Sequence, residues 1–337
     1  MNTADTIFLA AFDKGVGRAA QDAEGGWTVA QSAADHQITC LAAAPSHPKA
    51  VYAGTRSGVL RSDDGGLTWQ SSGMDDHVVK SLAVSPHDNQ VIYAGTKPAL
   101  LFVSRDGGQN WAELDGFRKI PNRWWWFSPA EPGDFRAYVM SIAPSPEDPN
   151  VILAGIELGA VVRSEDGGQT WSSHRKGALR DCHSLKFHAQ NGRWAYEAGG
   201  TGGGASFSRD GGVTFRKAKD GLVKNYGIVC AADPEKPEIW YVCVGSSPMN
   251  AFGDDPKVYL YRATGDAGWR PIGWQPHPLT ETPTTLTVVP GAPGHLYAGL
   301  KSGDVWHTAD YGDSWAKMPF SFEGIWYSLL VLQNGGS

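Results

Sequence analysis

The chain has 337 residues, a formal net charge of −6 and no cluster of lysine and arginine, which argues against nucleic acid as its main partner. Only 19% of its residues are charged, whereas 42 are glycine and 14 are tryptophan, a composition typical of a turn-rich globular protein. No stretch is apolar for long enough to span a membrane, so we expect no membrane partner either.

The amino-terminal segment at 6–12, "TIFLAAF", follows no basic residue, and its apolar run is too short for a secretory signal. The cysteines lie in apolar, strand-like runs without metal-binding spacing. They are Cys40, Cys182, Cys230 and Cys243. We therefore expect buried thiols in a cytoplasmic protein, with a pair of disulfides as the alternative. We expect no cofactor.

A repeated unit follows, and it is clearest at 44–69, 84–111 and 143–171. Each copy alternates apolar and polar residues over short runs that end at proline, glycine or aspartate, a pattern typical of β-strands joined by turns. Each copy closes on an Asp-Gly-Gly turn and an aromatic residue, as in "RSDDGGLTW". Two further copies, at 18–27 and 259–269, are degenerate. The closing aromatic residues are Trp27, Trp69, Trp111, Trp171, Phe215, Trp269 and Trp315.

The two ends of the chain complete this pattern. The segment 6–12 matches the second strand of the unit, so the first unit lacks its innermost strand. The segment 325–332, "IWYSLLVL", matches an innermost strand and follows the last unit. One missing strand and one spare strand are typical of a circular array that both termini close. The sequence therefore predicts an all-β fold, a seven-bladed β-propeller of four-stranded antiparallel blades, formed as one domain by 1–337.

These units resemble BNR/Asp-box repeats, and the resemblance covers nearly the whole chain. Such repeats occur in sialidases, xyloglucanase-type glycoside hydrolases, sortilin-like receptors and photosystem II assembly factors. The resemblance implies a propeller, but it implies no single activity, because one fold hosts many unrelated functions.

The chain departs from each of these enzymes and factors. Sialidases usually have six blades and an Arg-Ile-Pro signature near their start, whereas this chain has seven units and a different "RKIP" at 118–121. We therefore do not expect sialidase activity. Xyloglucanase-type enzymes pair two propellers around a cleft, and one is present here. The photosystem assembly factors match in number of blades, but they are exported or lumenal, whereas we expect this chain to be cytoplasmic.

The repeated aspartates are interpreted as structural. A carboxylate in such a turn can accept hydrogen bonds from backbone N–H groups of its own loop, and the two glycines supply backbone angles that a Cβ would forbid. A calcium-binding alternative lacks companion carboxylates. The same role in every blade requires the same motif, whereas a catalytic site needs different residues at one point. These aspartates are Asp64, Asp106, Asp166, Asp210 and Asp310.

We expect functional residues on the opposite face, in loops that differ from unit to unit. One set of loops precedes the innermost strands, and it contributes His36, His77, Arg136, Tyr138, Arg180, Asp181, His183, Asn225, Tyr226, Glu281, Glu323, Trp326 and Tyr327. The loops between second and third strands, with one neighbouring strand, contribute Arg56, Lys97, Glu157, Lys301 and Glu197. Carboxylates, cations and imidazoles around one funnel are what an acid–base or anion-binding site needs.

Glu157 and Glu197, from adjacent blades, are predicted to be the general acid and base, with His183 as a third catalytic group. Nearby arginines would bind a substrate carboxylate through paired hydrogen bonds. The predicted substrate-binding residues are Arg56, His77, Arg136, Arg180, Tyr226, Trp125 and Lys301. As an alternative, His36, His77 and His183 would form a three-imidazole metal centre.

Two insertions interrupt the repeat, at 116–135 and 245–257, and we predict that both lie over the ligand face. The first carries three consecutive tryptophans, 124–126, and a long ordered loop over a funnel is usually functional. Exposed tryptophan faces suit sugars or aromatic ligands; the alternative is that they pack onto the rim.

The resulting hypothesis is a cytoplasmic enzyme that acts on a small molecule or glycan by acid–base chemistry. The chemistry would be of hydrolase or lyase type, with a glycoside hydrolase-like reaction as one form of it. The alternative function is a non-catalytic binding or assembly scaffold.

Overall fold

The computed structural model describes residues 6–22, 24–44, 47–200 and 202–333. In these ranges, no helix is long and apolar enough to cross a membrane. The first strands are β1 (Thr6–Phe12), β2 (Gly15–Gln21), β3 (Trp27–Ser32), β4 (Ile38–Ala44), β5 (His47–Thr55), β6 (Gly58–Ser62), β7 (Gln70–Ser71), β8 (Val78–Val84), β9 (Ile92–Lys97), β10 (Leu101–Ser104), β11 (Ala112–Glu113), β12 (Phe127–Glu131), β13 (Asp134–Arg136), β14 (Val139–Pro144), β15 (Ile152–Ile156) and β16 (Val161–Ser164).

The remaining strands are β17 (Cys182–His188), β18 (Asn191–Gly199), β19 (Gly204–Ser208), β20 (Arg216–Lys217), β21 (Tyr226–Ala232), β22 (Ile239–Gly245), β23 (Tyr259–Thr264), β24 (Trp269–Pro271), β25 (Pro283–Thr287), β26 (Leu296–Leu300), β27 (Asp304–Thr308), β28 (Ala316–Ser321) and β29 (Leu329–Gln333). The insertions carry the short helix α1 (Pro248–Phe252) and two 3₁₀ turns, Asp115–Lys119 and Arg123–Trp125.

Seven antiparallel sheets form the blades, and their innermost strands contact one another in a ring around the axis. Blade 1 is β29-β1-β2-β3, and blades 2 to 7 are β4 to β7, β8 to β11, β14 to β16, β17 to β20, β21 to β24 and β25 to β28. Strands β12 and β13 form a separate hairpin. The predicted all-β, seven-bladed propeller is confirmed.

The outer edge of blade 4 departs from a regular fourth strand. The N–H of Ser172 donates to the carbonyl of Arg163, and the N–H of Arg175 donates to that of Val161. The segment 172–175 therefore pairs with β16 without forming a regular strand.

Both termini close the ring in blade 1. Strand β1 pairs antiparallel with β29, from Thr6 opposite Gln333 to Ala10 opposite Leu329. The spare strand was predicted from 325, but the regular ladder begins at Leu329. Before it, the Ala11 backbone bonds irregularly to Ser328 and Trp326, which continues the pairing without a regular strand.

In blades 2, 3, 4 and 7, a glycine of the second strand packs tightly against the next blade. A Cβ at Gly95 would lie 2.6 Å from the Cβ of Val139, and a Cβ at Gly155 would lie 2.2 Å from the sulfur of Cys182. The recurring "AG" of these strands therefore allows adjacent blades to approach closely. The cysteines are buried as free thiols, as predicted.

The repeated aspartate is held by its own turn. In blade 2, Asp64 Oδ1 accepts from the N–H groups of Leu67 (2.9 Å) and Thr68 (3.0 Å), and the Ser62 hydroxyl donates to it at 2.7 Å. Burial acts to raise the pKa of Asp64, but the hydrogen bonds, chiefly from Thr68, lower it to about 2. The other four aspartates accept equivalent bonds from the residue four positions on. These contacts support the structural interpretation.

We predict that Asp64→Ala lowers the free energy of unfolding by about 1–2 kcal/mol, because several turn N–H groups lose their acceptor. Urea denaturation at neutral pH measures this change. The exposed Asp76 is the matched control, and Asp76→Ala should change stability by less than about 0.5 kcal/mol. Since the folded pKa of Asp64 is depressed, its contribution is present above pH ~4 and shrinks toward pH ~2. Equal destabilisation by both variants would contradict the structural role.

Candidate functional site

Three acid and imidazole side chains meet where blades 4 and 5 adjoin at the funnel mouth. Glu157 directly follows β15, Asp181 directly precedes β17, and His183 is the second residue of β17. His183 Nε2 lies 3.4 Å from Asp181 Oδ1 and 3.6 Å from Glu157 Oε2. One donor atom from each residue lies within 4.8 Å of the others. We call these three residues the acid–histidine cluster.

A β-bulge places His183 in this cluster. Cys182 pairs with Gly199 and Ser184 pairs with Ala198, which leaves His183 as an extra residue between them. A bulge re-aims the side chain of the extra residue. The imidazole Nδ1 lies 2.6 Å from the carbonyl oxygen of Gly227 in blade 6. Since a carbonyl only accepts, Nδ1 carries the proton, and Nε2 is the atom that faces the two carboxylates.

The same bulge recurs near the start of the innermost strand in blades 2 to 7. The extra residues are Thr39, Lys80, Met140, His183, Ile228 and Thr284. Thr39 donates its hydroxyl to the carbonyl of Val79 at 2.5 Å, and Thr284 donates to that of Ile325 at 2.6 Å. The threonines therefore make the bond to the next blade that His183 makes through Nδ1.

The surroundings shift the pKa values of this cluster strongly. Burial raises the pKa of Glu157 to about 7, with a contribution from Asp181 and against the attraction of His183. Burial acts to lower the pKa of His183, but Asp181 and Glu157 outweigh it and raise the pKa to about 9. The imidazole and the two carboxyl groups therefore behave as one coupled unit.

Glu197, the predicted partner of Glu157, lies behind the cluster rather than in the funnel. Its side chain is fully buried, and its Oε2 accepts from the Leu179 N–H (2.9 Å) and the Ser206 hydroxyl (2.5 Å). Burial raises the pKa of Glu197 to about 8. The carboxyl fixes the segment that leads into Asp181, a positioning role that differs from the predicted contact with substrate.

A cavity of about 1060 Å³ reaches the cluster at Asp181. The first insertion forms one wall, and the segments 158–160 and 173–181 form the other. Trp125 lines the cavity, is 67% exposed, and stacks on Trp124, which is 72% exposed, with ring centroids 4.2 Å apart. Trp126 packs against Phe117 instead, at 5.9 Å. Two of the three tryptophans therefore present exposed faces, and the third packs down.

Arg180 also lines this cavity. It is exposed, and its Nη1 donates to the carbonyl of Gly159 at 3.4 Å, a long contact that uses one of the five guanidinium N–H donors. Tyr226 packs on His183 with ring centroids 5.0 Å apart. Arg180, Tyr226 and Trp125 are thus the predicted binding residues that the fold brings toward the cluster.

The hairpin of the first insertion is anchored by charge. Glu131 on β12 lies 2.7 Å from Lys80, 3.1 Å from Lys97 and 3.8 Å from Arg56. Sequence reasoning named Arg56 and Lys97 for the mouth but missed Lys80 and Glu131. The signal for Lys80 was present, because a lysine in the apolar strand "VVKSLAV" has to reach a partner or water.

The remaining predicted binding residues lie apart from the cluster. Arg136 is ion-paired with Asp134 of its own hairpin at 2.7 Å. The Lys301 ammonium donates to the carbonyl of Phe252 at 2.9 Å, which ties blade 7 to the second insertion.

The predicted three-imidazole centre does not form. Among the described residues, the one group of metal-type donors within 4.8 Å is Glu157, Asp181 and His183, which includes neither His36 nor His77. The His77 ring packs edge-on against Phe102 at 4.7 Å instead.

No protein-family model matches the chain, and no curated protein matches it. Several solved structures match the chain. The GH74 xyloglucanase from Xanthomonas campestris matches with a TM-score of 0.68 and 20% identity over 91% of this chain and 52% of that chain. The GH74 enzyme from Niastella koreensis matches with a TM-score of 0.65 and 14% identity, over 92% and 46%. YCF48 bound to D1 peptide matches with a TM-score of 0.60 and 15% identity, over 97% and 98%.

These likenesses show the fold alone. The chain spans about half the length of the GH74 enzymes but nearly the full length of YCF48. The fold is therefore shared by GH74 enzymes, one of which is named as a xyloglucanase, and by a protein solved with a peptide.

We predict that the stability of the protein falls as the pH rises from about 5 to about 8, in part through Glu197. A carboxyl whose folded pKa is raised holds a proton that the unfolded chain has lost, so unfolding becomes easier over this window. Glu197→Gln keeps an acceptor for Leu179 and Ser206 but cannot ionise. Urea denaturation at several pH values across this window should show that the free energy of unfolding falls less steeply with pH in this variant than in the wild type. An unchanged slope would contradict the raised pKa.

Proposed function

We propose that this protein is a hydrolase that acts on a glycan or glycan-like small molecule in the funnel. The observation that carries the proposal is the position of the acid–histidine cluster beside a large cavity with an aromatic wall. Such a cavity with a few convergent polar groups is the usual form of a ligand site.

The cavity lining favours a sugar. The exposed face of Trp125 offers a flat apolar surface to the C–H groups of a pyranose ring, and Arg180 offers several N–H donors to hydroxyl or carboxylate oxygens. The Xanthomonas campestris neighbour, which is named as a xyloglucanase, lends support at the level of the fold.

The cluster has the composition to activate water. Asp181 borders the cavity, and Glu157 and His183 contact one another behind it. Donor atoms within 4.8 Å are closer than the carboxyl pairs of glycosidases, about 5–5.5 Å in retaining and about 6.5–9.5 Å in inverting enzymes. The cluster would therefore act as a unit on one water molecule. The cytoplasmic location stays part of the proposal and is supported by the free, buried thiols.

The test uses acetylated oligosaccharides derived from xyloglucan, with mass spectrometry to read which bond gains water. Wild-type protein should give product, and Glu157→Gln should lower kcat by about 10²–10⁴-fold. Arg180→Gln should raise KM roughly 10-fold with a smaller effect on kcat. Arg216→Gln, an exposed change on β20, is the matched control and should leave both constants unchanged.

Three outcomes oppose the proposal, each in a different part. Binding of the oligosaccharides without any product would overturn the enzymatic function, and absence of binding would overturn the glycan class. Full activity in Glu157→Gln would remove the cluster from the chemistry.

The second candidate function is a non-catalytic scaffold that binds a protein segment. Two residues of the insertion hairpin are exposed aromatic side chains, Phe127 (54%), which also lines the cavity, and Phe135 (62%), which does not. The match to YCF48 with a bound peptide covers nearly all of both chains. Peptide binding that survives Glu157→Gln but is lost in Phe135→Ala, with no sugar product, would favour this function.

A further inference from the structure

The spacing of the acid–histidine cluster fits a metal ion better than direct hydrogen bonds. A charge-assisted N–H···O bond measures about 2.7–2.9 Å, whereas His183 Nε2 lies 3.4 Å and 3.6 Å from its two carboxylate neighbours. Tetrahedral zinc with bonds of about 2.0–2.2 Å places its ligand atoms about 3.3–3.6 Å apart. The observed separations therefore match two edges of such a tetrahedron.

The second nitrogen of His183 is already arranged as it is in metal sites. Metal-binding histidines usually donate their other N–H to a carbonyl or carboxylate, which fixes the ring and leaves one lone pair for the ion. His183 Nδ1 makes this bond to Gly227 at 2.6 Å. In its neutral form, Nε2 then directs a lone pair at two carboxylates, an arrangement that a cation between them would stabilise.

The equivalent positions in other blades show that the link between blades does not need an imidazole. Thr39 and Thr284 occupy the same bulge and make the same bond with a hydroxyl group. Compared with a threonine at this position, the histidine makes the same bond to the next blade and additionally places a second nitrogen, Nε2, toward Asp181 and Glu157.

We propose that Glu157, Asp181 and His183 bind one divalent zinc-type ion, with the fourth ligand position open toward the cavity that Asp181 borders. One imidazole and two carboxylates suit zinc or manganese, and the ligand spacing favours tetrahedral zinc. This inference deepens the proposed function, because an open position on zinc takes a water whose pKa falls to about 7. Water activation would then need no separate carboxylate base, which agrees with the buried position of Glu197.

The experiment is isothermal titration of the chelator-treated, full-length protein with zinc chloride, and separately with manganese and magnesium chloride. Zinc should bind with a stoichiometry of one and raise the melting temperature, manganese more weakly, and magnesium least. His183→Thr supplies the kind of hydroxyl with which Thr39 and Thr284 bond the next blade, but it lacks Nε2. The variant should therefore fold normally and lose at least about 100-fold in zinc affinity. Glu157→Gln should also weaken binding.

His36→Gln is the matched control, since His36 is a half-buried histidine at the mouth that lies outside the cluster. It should bind zinc as the wild type does. Zinc affinity that is unchanged in His183→Thr, or a stoichiometry well below one in the wild type, would overturn the inference. Cobalt bound in place of zinc should show the visible absorption of a tetrahedral site in the wild type and lose it in His183→Thr.

The outcome for zinc and the outcome for hydrolysis are separable. Stoichiometric zinc binding without turnover of any oligosaccharide leaves the metal site standing and overturns the proposed activity. Turnover that persists after chelation and in His183→Thr overturns the role of zinc in the reaction while leaving hydrolase activity in place.

Discussion

In blades 2 to 7, a bulge near the start of the innermost strand lies against the next blade, and the site depends on that contact. The bulge presents one side chain to the neighbouring strand, and in blades 2 and 7 a threonine hydroxyl bonds the next backbone carbonyl. The glycines of the second strands allow this approach, because any Cβ at Gly95 or Gly155 would collide with the next blade. Tight contact between blades thus fixes one set of equivalent residues around the funnel mouth, the extra residue of the bulge in each of blades 2 to 7. We call this set the bulge column.

In two of these blades the bulge position holds a residue other than threonine that serves the mouth, Lys80 in blade 3 and His183 in blade 5. In blade 3, Ser81, the residue after the bulge, donates to the carbonyl of Val139 at 2.8 Å, so Lys80 is available to hold Glu131 of the insertion hairpin. In blade 5, His183 keeps the bond to the next blade and adds Nε2 to the cluster. The bulge column therefore serves both cohesion between blades and the chemistry of the mouth.

The fold could be predicted from the sequence because the sequence repeats one structural unit. Every blade repeats the same alternation and the same turn, and the unmatched strands at 6–12 and 325–332 determined how the ring closes. The site could be predicted only in part. Glu157 and His183 were found because they break the repeat at the mouth, but Glu197 was paired with Glu157 because its burial behind Leu179 leaves no mark on the repeat pattern.

The three-imidazole metal centre was wrongly predicted for a related reason, which is that the repeat pattern does not show how deep a side chain lies in the funnel. His36 and His77 align with each other in the loops before their strands, whereas His183 lies one bulge inside its strand, so similar sequence positions correspond to different depths in the funnel. Only the register with β18 shows that His183 belongs to the bulge column with Thr39 and Thr284. Because the bulge residues face the next blade, Nδ1 of His183 bonds blade 6, while Nε2 faces the carboxylate of Glu157, which directly follows β15 in blade 4. His183 is therefore hydrogen-bonded to one neighbouring blade and faces a carboxylate of the other, so the geometry of the cluster depends on the packing of three blades.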